Sequence, residues 1–233
     1  MPETIQIAEL VNVTKIYSRS GGETTALSEV SVKVCPSELV LLLGPSGSGK
    51  TTMLTIMAGL QKPTAGNVFL FGKRLQEFSK PELQQIRANR IGFIFQTFCL
   101  IDSLSVLDNV LLVMKFAGFA KDTAFQRAVE FLERLEIKHL LRAFPPTLSQ
   151  GEKQRVAVAR ALATGAELII ADEPTGSLAT QQGMLIVDFL RKSCQSEGRC
   201  VVIASHDERI SNFADRVLHL RDGIIQLHNP ILS

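Results

Sequence analysis

Eight consecutive residues, Gly44-Pro45-Ser46-Gly47-Ser48-Gly49-Lys50-Thr51, offer the clearest chemistry in the chain. Their spacing is GxxxxGK[ST]. Glycines at these positions let backbone N–H groups curl around phosphate oxygens, and the following helix presents its positive end to them. Lys50 then reaches the β- and γ-phosphates of a nucleoside triphosphate such as ATP, and the Thr51 hydroxyl ligates magnesium (Mg2+). The plainer reading is a glycine-rich turn before a helix. The apolar run before the loop and the helical pattern after it favour the phosphate loop. Farther on, Asp172-Glu173 follow a second apolar run. Asp172 is placed to hold the magnesium, directly or through water, and Glu173 to polarise an attacking water as general base. The plainer alternative is that both acids cap the next element.

These residues need a frame that brings them together. Four short runs are continuously apolar: residues 39–43, 91–95, 168–171 and 201–204. Such runs suit strands covered on both faces, as in a parallel sheet. They are followed by the phosphate loop, by Gln96, by Asp172-Glu173 and by Ser205-His206 respectively. Open parallel sheets bind ligands outside the carboxyl ends of their strands, so one sheet edge collects all four. Helical patterns lie between the runs, at residues 49–60, 125–135 and 153–163; in the second, Phe125, Val129, Leu132 and Leu135 recur at helical spacing. Alternating strand and helix gives an α/β fold.

The flanks read differently. Residues 5–13 and 30–34 look like strands around a Gly21-Gly22 turn, and residues 68–75 like a hairpin turning at Gly72-Lys73. Together they predict a small antiparallel sheet beside the core. Asp222-Gly223, between residues 217–220 and 224–227, is a hairpin signal. The stretch 97–150 is mostly helical and reads as an insertion.

Bulk properties narrow the function. The 233 residues are 45% hydrophobic and 21% charged with a formal net charge of +2, and no basic stripe suggests nucleic acid. The start of the chain lacks the basic-then-apolar pattern of a signal peptide. Residues 104–120 are interrupted by Asp108, Asn109 and Lys115, short of the roughly 18–20 apolar residues that span a bilayer. A soluble, cytosolic chain is the expectation. The four cysteines show no CxxC spacing and read as reduced thiols. His139, His219 and His228 read as surface or core residues, and taken alone His206 reads the same way.

Leu148-Ser149-Gln150-Gly151-Glu152 opens the 153–163 helical pattern. Ser149 and Glu152 form an S-x-x-E capping box, and a helix start carrying a serine hydroxyl and a glycine also suits an anion. In order along the chain, phosphate loop, Gln96, LSQGE, the 168–173 run and His206 resemble the ATP-binding subunits of ABC transporters, from about residue 5 to 228. The resemblance implies a phosphate-loop NTPase core with a mostly parallel sheet, a flanking antiparallel β-subdomain and an inserted α-helical subdomain. Residues 1–233 would form one such domain, with 1–96 and 164–233 as core and 97–163 as the helical part. By the same resemblance Tyr17 stacks on adenine, and residues Ser46 to Thr52, including Thr52 itself, wrap the phosphates. Gln96 touches magnesium and the attacking water. Ser149, Gly151 and Glu152 contact the γ-phosphate on an opposite subunit. Glu173 is the base, and His206 holds the γ-phosphate and positions Glu173.

The group resembled most is that of the lipoprotein-releasing, macrolide-exporting and cell-division ATPases, through Phe95-Gln96-Thr97-Phe98, Leu107-Asp108-Asn109-Val110 and Asp172-Glu173-Pro174-Thr175-Gly176 besides the loop. It implies an ATPase motor that dimerises with a second, identical subunit around two ATP. It also implies attachment to an integral membrane permease at the inner face of the membrane. A surface near residues 98–107 would pass the motion on, although ordinary core packing explains the same apolar residues. Gln150, Ser37 and Ala179 depart from the family's usual Gly, Gly and Asp, the last putting coupling between the two sites in doubt. Two alternatives remain at this level: a regulatory module that reads ATP with slow hydrolysis, and a non-transport ATPase of the same superfamily.

Overall fold

The computed structural model describes residues 6–19, 22–176, 178 and 180–226, without the side chains of Arg19 and Thr180. Ile5, Gly21, Ala179, Leu227 and His228 therefore lie outside the described residues. In chain order come strands β1 (Ala8–Arg19), β2 (Gly22–Val34) and β3 (Leu39–Leu43), then helix α1 (Lys50–Met57). Next are β4 (Ala65–Leu70), β5 (Lys73–Arg74), α2 (Lys80–Arg90) and β6 (Ile91–Ile94). Helices α3 (Val106–Phe116), α4 (Lys121–Arg134) and α5 (Gln150–Leu162) follow. The chain continues through β7 (Leu168–Asp172), α6 (Thr180–Glu197), β8 (Cys200–Ser205), β9 (Arg216–Arg221) and β10 (Ile224–Gln226).

The four apolar runs become neighbours in a six-stranded sheet of order β10-β9-β3-β8-β7-β6. All its pairings are parallel except the β9–β10 hairpin. Successive side chains of a strand point to opposite faces, so each run serves two cores. Leu39, Leu41 and Leu43 join a cluster with Val110, Met114, Phe131, Leu132, Val156 and Leu190 of the helices. Val40 and Leu42 join Met53, Leu54, Ile56 and Met57 of α1 and the antiparallel strands. Every residue of β3, β7 and β8 is buried, which is why these runs lack alternation. Register is fixed in the same way, with Leu39 opposite Val201 and Leu43 opposite Ser205. The strand tips, with their polar residues, therefore finish level.

A four-stranded sheet of order β2-β1-β4-β5 covers the other side of α1. Its first two strands are much longer than residues 5–13 and 30–34. Register shifts between Leu10 and Val13 and between Val13 and Ile16 break the period of two. An alternation count therefore stops at Val13 although pairing continues to Arg19. Gly66 lies against one of these bulges: a Cβ there would come 2.2 Å from the Asn12 carbonyl oxygen. The β4–β5 turn is centred on Phe71-Gly72, one residue earlier than expected. Phe69 pairs with Arg74 and Leu70 with Lys73, and Phe71 (φ 52°) and Gly72 (φ 80°) supply the two left-handed residues of a tight hairpin. Asp222 (φ 50°) and Gly223 (φ 76°) do the same for β9–β10, as the sequence suggested.

Two helices escaped sequence reading. Helix α2 has no fully buried residue, and only Leu83 and Ile86 pack from it against the core, too short a stripe to read; its clearest signal is the Ser79–Glu82 capping box with Pro81. Helix α6 does carry one, with Ile186, Leu190 and Cys194 all buried, spaced four apart.

Ser37, in the turn before β3, adopts φ 58° while its N–H donates to the Gly198 carbonyl at 3.2 Å. A left-handed backbone costs an L-residue roughly 1–2 kcal/mol, and glycine's looser unfolded chain returns roughly 0.4–1 kcal/mol. Ser37→Gly is therefore expected to stabilise the fold by about 0.5–1 kcal/mol, raising Tm by about 1–3 °C. Calorimetry that found a lower Tm would contradict this account of the turn.

Candidate functional site

The phosphate loop leaves β3 at Leu43 and enters α1 at Lys50. Gly49 stands at the helix N-cap with φ 105° and no side chain caps the first turn, so those N–H groups face outward for an anion. A Cβ on Gly49 would sit 2.3 Å from the Ala26 carbonyl oxygen, so glycine is required there for space as well as for φ. Lys50 is buried to 7% exposure. Its ammonium donates to the carbonyls of Gly44 (2.7 Å) and Pro45 (3.2 Å) and lies 3.4 Å from Glu173 Oε1.

The next parallel strands bring the acids alongside. Thr51 Oγ1 donates to Asp172 Oδ2 at 2.7 Å. The other carboxylate oxygen, Oδ1, is buried without a hydrogen-bond partner. Burial pushes the Asp172 carboxyl above its usual range, with the Thr51 hydroxyl opposing the shift. A bare buried carboxylate oxygen beside a threonine hydroxyl is a donor set that suits a hard divalent cation. The residues present fit magnesium on this ground.

Glu173 follows β7 in a left-handed conformation (φ 48°), its N–H donating to the Ala204 carbonyl of β8 at 2.9 Å. Such strain, of order 1–3 kcal/mol, persists only where the surroundings enforce it. Here it turns the carboxylate back over the loop. Oε1 faces Lys50, and Oε2 is 2.9 Å from Nδ1 of His206 at the tip of β8. The Glu173 side chain is 11% exposed, whereas His206, just past the end of β8, is 63% exposed.

A cavity of about 270 Å³ at this edge is lined by Ser46, Gly47, Gly49, Lys50, Thr51, Thr52, Gln96, Asp172 and Glu173, with Ala26 closing one wall. Most residues picked out from the sequence thus meet in one place. Ala26 was not among them, because an alanine in a long strand gives no signal. Gly44, Pro45 and Ser48 of the loop do not line the cavity, the Ser48 hydroxyl being buried without a hydrogen-bond partner, and three further features stand apart. Tyr17 does not line the cavity but donates to Gln61 Oε1 at 2.9 Å and lies 3.4 Å from Thr52 Oγ1, next to its wall. His206 contributes through Glu173. Ser149, Gly151 and Glu152 lie at the start of α5, away from this cavity.

At that helix start the capping box is complete. Glu152 N–H donates to Ser149 Oγ, and Ser149 N–H (2.7 Å) and Oγ (2.8 Å) both donate to Glu152 Oε2. Those bonds from Ser149 hold the Glu152 carboxyl below its usual range. Ser149 and Gln150 are exposed. Gly151 lies against Gln182 of α6, where a Cβ would come within 2.7 Å of the amide oxygen.

Comparison with known proteins shows the family of the chain. The family model described as ABC transporter matches residues 27–176. The chain is 37% identical over 221 residues to the lipoprotein-releasing system ATP-binding protein LolD 2 of Caulobacter vibrioides, covering 95% of this chain and 97% of that protein. It is 36% identical over 219 residues to the macrolide export ATP-binding/permease protein MacB of Hahella chejuensis, covering 94% of this chain but 33% of that longer protein. Among solved structures, it resembles the dimeric post-hydrolysis state of the ATP-binding cassette MJ0796 bound to ADP and Pi. MJ0796 is a protein of Methanocaldococcus jannaschii. The TM-score is 0.89 at 38% identity, covering 94% of this chain and 97% of that one.

Proposed function

The chain belongs to the ABC transporter ATP-binding family, close to the LolD, MacB and MJ0796 type, and from that premise we propose a paired motor whose sites span two copies. It is an ATPase, with ATP and water as substrates and ADP and phosphate as products. The observation that carries the residue assignments is Glu173. Its carboxylate is fixed between Lys50 and His206 at the mouth of the phosphate cavity.

The ATP phosphates settle on the N–H groups of residues 46–52, and Lys50 turns from its loop carbonyls to the β- and γ-oxygens. Tyr17, beside Thr52, supplies an aromatic face for the adenine. Thr51 and Asp172 would hold magnesium, with Gln96 at its margin; the ion neutralises charge on the phosphate oxygens when bound. A water beside Gln96 gives a proton to Glu173 as its oxygen attacks the γ-phosphorus. The bond from phosphorus to the β-bridging oxygen breaks, ADP leaves with that oxygen, and the proton passes on to the released phosphate. His206 keeps the Glu173 carboxylate aimed and reaches the γ-phosphate.

In the same reading, Ser149, Gly151 and Glu152 of a second, identical copy close the site from the far side. The dimeric state of MJ0796 supports this. Residues 97–163 act as the helical part that carries Ser149, and residues 1–96 and 164–233 as the nucleotide-binding core. No helix among the described residues is long and apolar enough to cross a membrane; in this reading the motor works on a separate permease, which the ABC transporter family supports. Exposed Ile101 and Phe116 line a cleft of about 470 Å³ between α2, β6, α3 and α5, which suits that docking. The kinship with LolD and MacB favours export, lipoprotein release or mechanical work on substrates beyond the membrane. The permease that co-purifies from membranes would identify the task.

Steady-state phosphate release tests the core of the reading. Several kcal/mol of charge stabilisation rest on the metal, so EDTA is expected to slow release by about a hundredfold or more, with recovery on adding magnesium. Release that ignored EDTA would remove Thr51 and Asp172 as metal ligands.

A further inference from the structure

Gln96 at the tip of β6 is followed by an unusual piece of backbone. Phe98 (φ 61°) and Cys99 (φ 49°) are consecutive left-handed residues, and neither is glycine. The Cys99 N–H donates to the Thr97 carbonyl at 2.7 Å, closing a tight three-residue turn of the strained hand. L-residues do not hold such a turn unaided.

What holds it comes from another element. Arg160, on α5, donates through Nη2 to the Phe98 carbonyl at 2.7 Å and through Nη1 to the Cys99 carbonyl at 2.5 Å. Burial draws this guanidinium below its ordinary pKa, with Cys99 opposing the shift. A part-buried cation spent on two backbone carbonyls is a costly arrangement for packing alone. Farther along, Asn109 of α3 fastens the same segment, accepting from Ile101 N–H and donating to the carbonyls of Ile101, Leu104 and Ser105. Residues 98–105 are thus tied to the helical half, and Gln96 lies two residues before the clamped Phe98.

We propose that Arg160 is a positioning residue that latches the Phe98–Cys99 turn to the helix beginning at Ser149. Movement of Ser149 toward a neighbour's phosphate and placement of Gln96 in its own site then become one motion. The proposal rests on the reading of Gln96 and Ser149 given above and adds the part that joins them. The planar fork of arginine meets both carbonyls at once; lysine presents a single point charge and cannot.

The chain contains no tryptophan, so Thr97→Trp gives a unique emission probe beside Gln96. In that background Arg160→Lys is expected to lower kcat for ATP by roughly ten- to a hundredfold, the cost of a small misplacement. KM should stay within about twofold, and the ATP-induced change in tryptophan emission should disappear. A merely structural arginine would lower Tm and active fraction together while leaving the emission response of the folded molecules intact; that result overturns the latch. So does a parental kcat. If Arg160→Lys does not fold, Cys99→Pro opens the turn from its other end, because proline lacks the N–H that bonds the Thr97 carbonyl and fixes φ near −65°. It should show the same fall in kcat at unchanged KM, and parental turnover in that variant likewise overturns the latch. A Thr97→Trp parent that turns over ATP while Arg160→Lys matches it defeats the latch alone. A native chain with no ATPase activity defeats the underlying reading and the latch with it.

Discussion

Glu173→Gln is expected to bind ATP at least as well as the native chain and to release phosphate between a hundredth and a ten-thousandth as fast. Removing a general base typically costs roughly 10²–10⁴ in rate, or about 3–5 kcal/mol of barrier. The amide keeps the volume of the carboxylate and can still meet His206 Nδ1, now 2.9 Å away, so the left-handed turn at residue 173 has no reason to rearrange. What vanishes is the proton acceptor. The negative charge 3.4 Å from the Lys50 ammonium vanishes too, leaving Lys50 freer for phosphate. Fluorescent-nucleotide titration beside a phosphate-release assay separates the two effects. Size-exclusion chromatography with ATP should show the variant accumulating as a dimer. Native turnover from Glu173→Gln would take the base away from this residue.

A mixture of two dead variants should come back to life. Lys50→Ala removes the cation of the phosphate loop, and Ser149→Arg fills the start of α5 with a long side chain of the same charge. Each alone is expected to lose at least about a hundredfold in rate, as removal of a transition-state donor does. In a two-fold dimer each site takes its loop from one copy and its helix start from the other. A mixed pair therefore has one site carrying both lesions and one carrying neither. At equal proportions half the dimers are mixed, and recovery to about a quarter of native activity is the statistical expectation. Ser149 lies outside the cavity that Lys50 lines within its own chain, so a self-contained site could not be rescued this way. An inactive mixture at every ratio would end the composite-site account.

The strand tips could be read from the sequence because burial on both faces leaves its mark on every residue of a strand. Leu39–Leu43, Leu168–Asp172 and Cys200–Ser205 are buried throughout, and whatever follows such a run must lie at the sheet edge. Ser149 was legible for a different reason: a capping box has fixed spacing, and the structure shows both of its reciprocal bonds. Where periodicity fails, reading fails with it. Helix α2 sets only Leu83 and Ile86 against the core, neither fully buried, and the bulges of β1 scramble alternation while the ladder continues. Arg160 was out of reach altogether. Its partners are the carbonyls of two residues whose left-handed φ no letter in Phe98-Cys99 announces, and an arginine within a helix otherwise reads as a solvated charge. Ala26 illustrates the same limit, since its part in the cavity depends only on where β2 passes.

The placement of the Lys50 ammonium has a kinetic meaning. Because it already bonds Gly44, Pro45 and Glu173, nucleotide arrival is an exchange of partners, not a simple gain of them. Affinity is the difference between two sets of contacts, so the ground-state complex is looser than its phosphate contacts suggest. In the proposed cycle the old partners would take the lysine back once the γ-phosphate has gone, which would favour departure of ADP. A machine that must reset after every stroke gains more from a short product lifetime than from a tight grip.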